Sequence, residues 1–104
     1  MDTVRATNIA TLNDEFRKSF QGIVMTPGVI MLSNVLGLTK KVYDFNDFTE
    51  DNDPYHEHDF GAFDWNGERI LWKIDYYDQT LTYGEDPLSP DCKRVMTIML
   101  ASEY

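Results

Sequence analysis

Residue types that catalysis and metal binding use are concentrated in one stretch, residues 48–61, which reads FTEDNDPYHEHDFG. It contains both histidines of the chain, His56 and His58. Imidazoles and carboxylates are ligands that zinc, iron and manganese accept. The spacing is poor for such a site, because there is no third histidine and no His-Glu-x-x-His pattern. Asp51 and Asp53 also lack the glycine and distal glutamate of a calcium loop. We therefore predict no bound metal and no cofactor.

General acid-base catalysis is a second interpretation of the same stretch. If the strand pairing described below extends far enough, His58 faces Asp75, with Lys73 diagonal to it on the same face. A carboxylate facing an imidazole orients the ring, which is how a general base is held. Glu57, His58, Asp75 and Lys73 form the candidate catalytic set. No serine lies beside a histidine to act as a nucleophile, so a simple cross-strand ion pair is the alternative.

A protein recognition surface is the third interpretation. Asp51-Asn52-Asp53-Pro54 is typical of a turn, and its carboxylates would then project into solvent. Aromatic residues are interleaved with these acids, as in many protein interfaces. The candidate partner-binding residues are Asp47, Glu50, Asp51, Asp53, Tyr55, Glu57 and Asp59.

The charge of the chain favours this third interpretation. The formal net charge is −9, and residues 44–91 hold fourteen acidic residues against two basic ones. Such a segment repels phosphate, so we expect no direct nucleic-acid binding and instead a protein partner with a basic surface. Acids spaced along one face can also imitate nucleic-acid phosphates. A lone cysteine, no long apolar run and no signal-peptide pattern favour a cytoplasmic location without membrane contact.

These residues must be positioned by the secondary structure that the rest of the sequence predicts. Apolar residues at helical spacing predict a helix over residues 4–20, ending before Gly22. Residues 22–26 predict a short strand, followed by a turn at Pro27-Gly28. Residues 29–32 fit a strand or a loop, and residues 34–43 fit a short helix or a strand, so both remain open.

The clearest local signal is Asn66-Gly67, which suits the two positive φ angles of a type I′ hairpin turn. It predicts a hairpin of residues 59–65 with 68–77, in which facing residue numbers sum to 133. Trp72 then lies opposite Gly61, on the face that we expect to be buried. Residues 81–83 are predicted as a third short strand.

The end of the sequence predicts a helix. Ser89 is a suitable cap, Pro90 suits the first helical position and Asp91 suits the first turn. Apolar residues then recur at spacings of three and four, at Cys92, Val95, Met96, Met99 and Leu100. We therefore predict one α+β domain over residues 1–104. Its small antiparallel sheet, with a central hairpin turning at Asn66-Gly67, packs against an N-terminal and a C-terminal helix.

Four phrases of the sequence resemble a known family. They are FTEDNDPY at 48–55, EHDFG at 57–61, WKIDYYD at 72–78 and RVMTIMLASEY at 94–104. They resemble the bacterial family called domain of unknown function 3768, found mainly in alphaproteobacteria, their plasmids and their phages. The resemblance extends from about Ile9. His56 stands where a small residue usually follows the tyrosine, which leaves Glu57 and His58 as the better candidate ligands. The family has no established activity, so the resemblance implies a genomic setting and not a reaction.

Two functional hypotheses follow from the sequence. The leading one is a small acidic accessory or inhibitor module, encoded by a mobile element, that binds a protein. A host-defence inhibitor such as an anti-CRISPR protein or a nucleic-acid mimic would be an example. The alternative is a small hydrolase-like enzyme that uses Glu57, His58 and Asp75.

Overall fold

The computed structural model describes residues 3–104 and contains three α-helices, four strands and a final 3-10 turn over those residues. In chain order these are α1 (Thr3–Ser19), β1 (Ile23–Met25), α2 (Pro27–Ile30), α3 (Val35–Tyr43), β2 (Phe60–Trp65), β3 (Glu68–Tyr77), β4 (Lys93–Leu100) and the turn Ala101–Glu103. The α+β class is confirmed. No helix within residues 3–104 is long and apolar enough to cross a membrane.

The hairpin forms as predicted, because its turn residues suit the backbone that the turn requires. Asn66 has φ of 50° and Gly67 has φ of 83°. Strand β2 pairs antiparallel with β3, and Gly61 faces Trp72 in the expected register. Trp72 is fully buried, as predicted for this face. The local sequence therefore determines this pair of strands, although the hairpin, predicted to be central, lies at one edge of the sheet.

The prediction of a C-terminal helix is wrong, because residues 93–100 form strand β4. Val95, Thr97 and Ile98 are β-branched and favour an extended chain. The apolar run is long because β4 lies inside the sheet, between β1 and β3. The helix-start signals before it form a turn, in which Ser89 accepts hydrogen bonds from the backbone N–H groups of Asp91 and Cys92.

The sheet is therefore mixed and not purely antiparallel. Its order is β1-β4-β3-β2, with β1 parallel to β4 and the other pairs antiparallel. The helices cover one face only, against a core that includes Val29, Leu38, Trp72 and Ile98. The segments left open in the sequence analysis form α2 and α3, so both belong to this helical layer.

The predicted third strand at residues 81–83 is also wrong. The segment is a turn that meets β3 only in an isolated bridge between Tyr77 and Gly84. The carboxylate of Asp78 accepts hydrogen bonds from the backbone N–H groups of Thr80 and Thr82. These donors are therefore used within the turn and cannot form a strand ladder.

Helix α1 confirms the predicted N-terminal helix, but its buried face differs from the expected one. Leu12 and Phe20 are two of the apolar residues at helical spacing, yet they are 39% and 49% exposed, and Phe20 lies just after the helix. Asn13 and Arg17 are buried instead, at 0% and 2% exposure. The helix therefore presents polar groups to the rest of the molecule.

We expect Gly61→Ala to destabilise the fold, because the added Cβ would lie 2.6 Å from Cε2 of Trp72 and 2.8 Å from Cε1 of Phe45. Overpacking of this kind costs about 1 to 3 kcal/mol. The matched control is Gly84→Ala, whose Cβ would meet nothing closer than the Tyr76 carbonyl oxygen at 3.9 Å. Urea denaturation of both variants measures the difference, and equal stabilities would contradict the packing described here.

Candidate functional site

The connection between α3 and β2, residues 44–59, contains no helix or strand and is called the acidic loop below. Structureless connections of this length are uncommon in small domains and are often functional. The loop carries most of the residues singled out from the sequence. Its geometry is fixed mainly by polar side chains of α1 and by its own asparagine and aspartate side chains.

Asn13 joins the acidic loop to the sheet. Its Nδ2 donates to the Glu57 carbonyl oxygen at 2.9 Å and to the Tyr76 hydroxyl at 2.8 Å. Its Oδ1 accepts from Nε of Arg94 at 2.7 Å. A fully buried amide is thus satisfied by three partners on the loop, β3 and β4.

Arg17, one helical turn further on, joins α1 to the end of α3 and the start of the loop. Its Nε donates to the Val42 carbonyl oxygen at 3.0 Å and its Nη2 to that of Phe45 at 3.1 Å. Its Nη1 forms an ion pair with Asp14 at 2.9 Å. The guanidinium also lies 5.1 Å from the Trp72 ring centroid, so this buried charge is compensated on several sides.

His58 lies between two carboxylates. Its Nδ1 is 3.1 Å from both carboxylate oxygens of Asp14, and its Nε2 is 3.7 Å from Oδ2 of Asp53. The ring stacks on Phe48 with a centroid distance of 3.8 Å and an interplanar angle of 2°. Because a carboxylate only accepts, Nδ1 carries the proton in this arrangement and donates it to Asp14.

Asp53 shapes the loop from inside. It is 3% exposed, and its Oδ1 accepts from the backbone N–H groups of Glu57 and His58 at 3.1 and 3.2 Å. Its Oδ2 is buried and has no hydrogen-bond partner within residues 3–104. Among the basic side chains within residues 3–104, only the His58 imidazole comes within 4.0 Å of this oxygen, with Nε2 at 3.7 Å.

The predicted catalytic set is not brought together. Strand pairing stops at Phe60 opposite Lys73, because His56 and His58 have φ of 58° and 57°, which a strand cannot accommodate. The predicted facing of His58 and Asp75 is therefore wrong. Asp75 instead forms an ion pair with Lys73 at 2.8 Å on the opposite face of the sheet.

The predicted partner-binding residues divide into two groups. Asp47, Glu50, Asp51 and Tyr55 are exposed, and Tyr55 is 67% exposed. Asp53 is buried, while Glu57 and Asp59 are only partly exposed. Within the described residues, the three exposed acids form no ion pair with lysine or arginine, and Glu50 meets only His56, at 3.3 Å.

Burial raises the pKa values of three inward-facing groups, Asp59, Glu57 and Tyr76. Loss of solvent raises the pKa of Asp59, although the hydrogen bond that its Oδ2 accepts from Tyr76 at 3.2 Å opposes the rise. Loss of solvent also raises the pKa of Glu57, with Asp59 nearby adding to the effect. Burial raises the pKa of Tyr76 as well, so its hydroxyl stays protonated and can donate.

Within residues 3–104, no group of three or more histidine, cysteine, aspartate or glutamate side chains is arranged to hold a metal ion. Cys92, placed in the core by the helical reading, lies just before β4 and is partly exposed. Burial raises the pKa of its thiol, which disfavours the nucleophilic thiolate.

Sequence reasoning missed the anchoring residues Asn13, Asp14, Arg17 and Arg94. One signal could have found two of them. Asn13 and Arg17 lie four residues apart, in line with Ile9 on the face that becomes buried, and polar residues on such a face require partners.

The fold and the loop define a class of protein: an α+β domain with one helical layer and a long acidic loop anchored from the first helix. The chain belongs to the family described as Protein of unknown function (DUF3768), whose model matches residues 25–103. The family predicted from the sequence is thereby confirmed. Helix α1 lies before the matched range. No curated protein and no solved structure matches the chain.

We expect Asn13→Ala to lower the free energy of unfolding by about 2 to 4 kcal/mol, because it leaves buried polar partners on three elements unsatisfied. Asn8→Ala is the matched control, since Asn8 is exposed on the same helix. It should change stability by less than about 0.7 kcal/mol. Chemical denaturation followed by circular dichroism compares the two. An Asn13→Ala loss no larger than that of Asn8→Ala would contradict the role of Asn13 as an anchor.

The raised pKa of Asp59 predicts a pH-dependent stability difference. The folded state holds this proton more tightly than the unfolded state, so wild type should gain stability relative to Asp59→Asn as pH falls from 7. The gain should be complete below the ordinary value of 3.8. Asparagine keeps an acceptor for Tyr76, and Asp64→Asn, at an exposed position, controls for the removal of one charge. Urea midpoints between pH 4 and 7 test this, and a difference that shrinks on acidification contradicts it.

Proposed function

We propose that the protein is a small acidic protein-binding module that acts in the cytoplasm by presenting its acidic loop to a basic surface of a partner. An accessory or inhibitory role fits the setting that the family resemblance implies, in plasmids and phages. A host-defence complex with a nucleic-acid groove, as in an anti-CRISPR or nucleic-acid-mimic mechanism, is the partner class that we infer. The observation that carries the proposal is the arrangement of the acidic loop.

The acidic loop separates the side chains that hold it from those that it displays. Asn52 accepts from the Thr49 N–H at 2.9 Å and donates to the Asp47 carbonyl oxygen at 2.9 Å. Asp53 and Asn13 hold its later part, as described above. The exposed carboxylates of Glu50 and Asp51 accept no hydrogen bond from the backbone within residues 3–104. The backbone of the loop is therefore held without them, and the Glu50 contact with His56 is between two exposed side chains.

A loop held in this way favours binding. Ordering a flexible segment on association costs free energy, and a loop whose turns are already fixed avoids much of that cost. Tyr55 adds an exposed aromatic ring beside the acids, and tyrosine is enriched among residues that dominate protein interfaces. Unpaired acids in turn attract a basic surface and increase the association rate.

The geometry supports acid-base catalysis less well. With Nδ1 of His58 donating to Asp14, the ring atom left to act on a substrate is Nε2, and it faces the buried Asp53. The arrangement is typical of an ion pair that fixes a loop. Asp75 and Lys73, the other predicted members, lie on the far side of the sheet.

The proposal predicts that partner binding depends on where charge is removed and not on total charge. The loop variant is Asp47→Asn, Glu50→Gln, Asp51→Asn. The matched control is Glu15→Gln, Asp64→Asn, Glu68→Gln, which removes the same charge at exposed positions elsewhere. A partner captured with the tagged wild type from its host is purified, and titration calorimetry measures its affinity for each variant at low and high salt.

We expect the loop variant to bind about tenfold more weakly or worse, since each exposed pair contributes up to about 1 kcal/mol. The control should stay within about threefold of wild type, and wild-type affinity should fall as salt rises. Equal losses in both variants would mean that net charge alone matters. If His58→Ala, checked for folding by circular dichroism, abolishes function while the loop variant retains it, catalysis replaces binding as the account.

A further inference from the structure

Strand β2 forms one edge of the sheet, and its outward backbone groups have no partner. The Ile74 N–H donates to the Asp59 carbonyl oxygen at 2.8 Å, which identifies 59 and 74 as a hydrogen-bonded pair. Because such pairs alternate along an antiparallel ladder, residues 61, 63 and 65 bond to β3. Phe60, Ala62 and Asp64 therefore point their N–H and C=O groups away from the sheet, where no hydrogen bond within residues 3–104 reaches them.

A cleft of about 750 Å³ runs beside this edge. Ala62, Phe63 and Trp65 form its wall on the sheet side. Lys41 of α3 and Phe45 and Asp47 of the acidic loop stand on the other side. The cleft therefore combines an apolar floor with a row of free backbone donors and acceptors.

We propose that this cleft binds an extended peptide segment of a partner protein, which adds to the sheet as a strand alongside β2. The free backbone groups recur at every second residue, about 6.8 Å apart along the strand, and an extended chain presents complementary groups at the same interval. A helix or a compact ligand cannot match that spacing. Alternate peptide side chains would then face the helical layer and lie against Phe63 and Trp65.

The charges beside the cleft further define the peptide. Lys40 is paired with Asp44, and Arg69 with Asp64 at 3.2 Å. Lys41 has no ion pair within residues 3–104, so it is free to receive an acidic side chain. The segment that fits is therefore extended, with an apolar residue at the floor and an acidic residue near Lys41. A second copy of the chain fits less well, because it would bring its own α3 and acidic loop to the same side of its β2 edge.

This inference does not rest on the proposed function, since the strand pairing depends on the β2 backbone, and of the exposed acids of the loop variant only Asp47 lines the cleft. The probe is a phage-displayed library of random dodecapeptides, selected on the wild-type protein. The selected peptide is synthesised, and its affinity is measured by fluorescence anisotropy for wild type, Ala62→Pro and Ala62→Val. Proline removes the outward N–H at a position where an edge strand tolerates it, whereas valine keeps that donor.

We expect binding to wild type and Ala62→Val within about threefold of each other, and a loss of about tenfold or more in Ala62→Pro. The selected sequences should alternate an apolar residue with others and include an acid. In an added strand, the N–H groups of every second peptide residue point towards β2. Methylating the backbone amides of that set should abolish binding to wild type, which tests the backbone pairing even if Ala62→Pro fails to fold. Each of four results would overturn the proposal. They are no enrichment of any peptide, equal binding by a folded Ala62→Pro variant, unchanged binding after amide methylation, and a wild-type dimer in sedimentation that forms through this edge.

Discussion

The buried guanidinium of Arg17 holds the helical layer, the sheet and the acidic loop in one arrangement. A charge removed from water must find compensation in the protein, and Arg17 finds it in the Asp14 carboxylate, two main-chain carbonyl oxygens and the face of Trp72. One of those carbonyls, at Val42, belongs to the last turn of α3, whose negative dipole end favours a cation, and it also accepts from the Phe45 N–H at 3.2 Å. A single side chain thus joins α1 to the end of α3 and to Phe45 of the loop.

From Arg17 a series of contacts between acidic and basic side chains continues into the loop. Asp14 links the guanidinium to His58, and His58 approaches Asp53, whose other oxygen holds two backbone N–H groups. Asn13 lies next to Asp14 and forms hydrogen bonds with Tyr76 and Arg94. Polar networks of this kind specify one arrangement strongly when every member is satisfied. The unpartnered Oδ2 of Asp53 is the exception within residues 3–104, and it lies next to the group that can compensate it.

The parts of the fold that could be predicted are those that a few neighbouring residues determine. Asn66-Gly67 specifies the hairpin and its register without any distant contact. The segment 93–100 could not be assigned in the same way, because an apolar run suits a buried helix face and a central strand equally, and only its neighbours β1 and β3 decide. The predicted partner-binding residues all lie in one segment, the loop before β2. Its internal contacts were not foreseen, since Asn13, Asp14 and Arg17 come from a helix and lie 28 to 44 residues in the sequence from the loop residues that they contact.

Anchoring the acidic loop through Asn52, Asp53 and α1 has a consequence for which of its residues can be substituted. Its exposed positions, such as Glu50, Asp51 and Tyr55, contribute little to the fold, so their side chains can be exchanged at small cost in stability. Under the proposed function, substitutions at these exposed positions would change which surface the loop recognises. The residues that hold the loop would stay in place, so no redesign of the core would be needed.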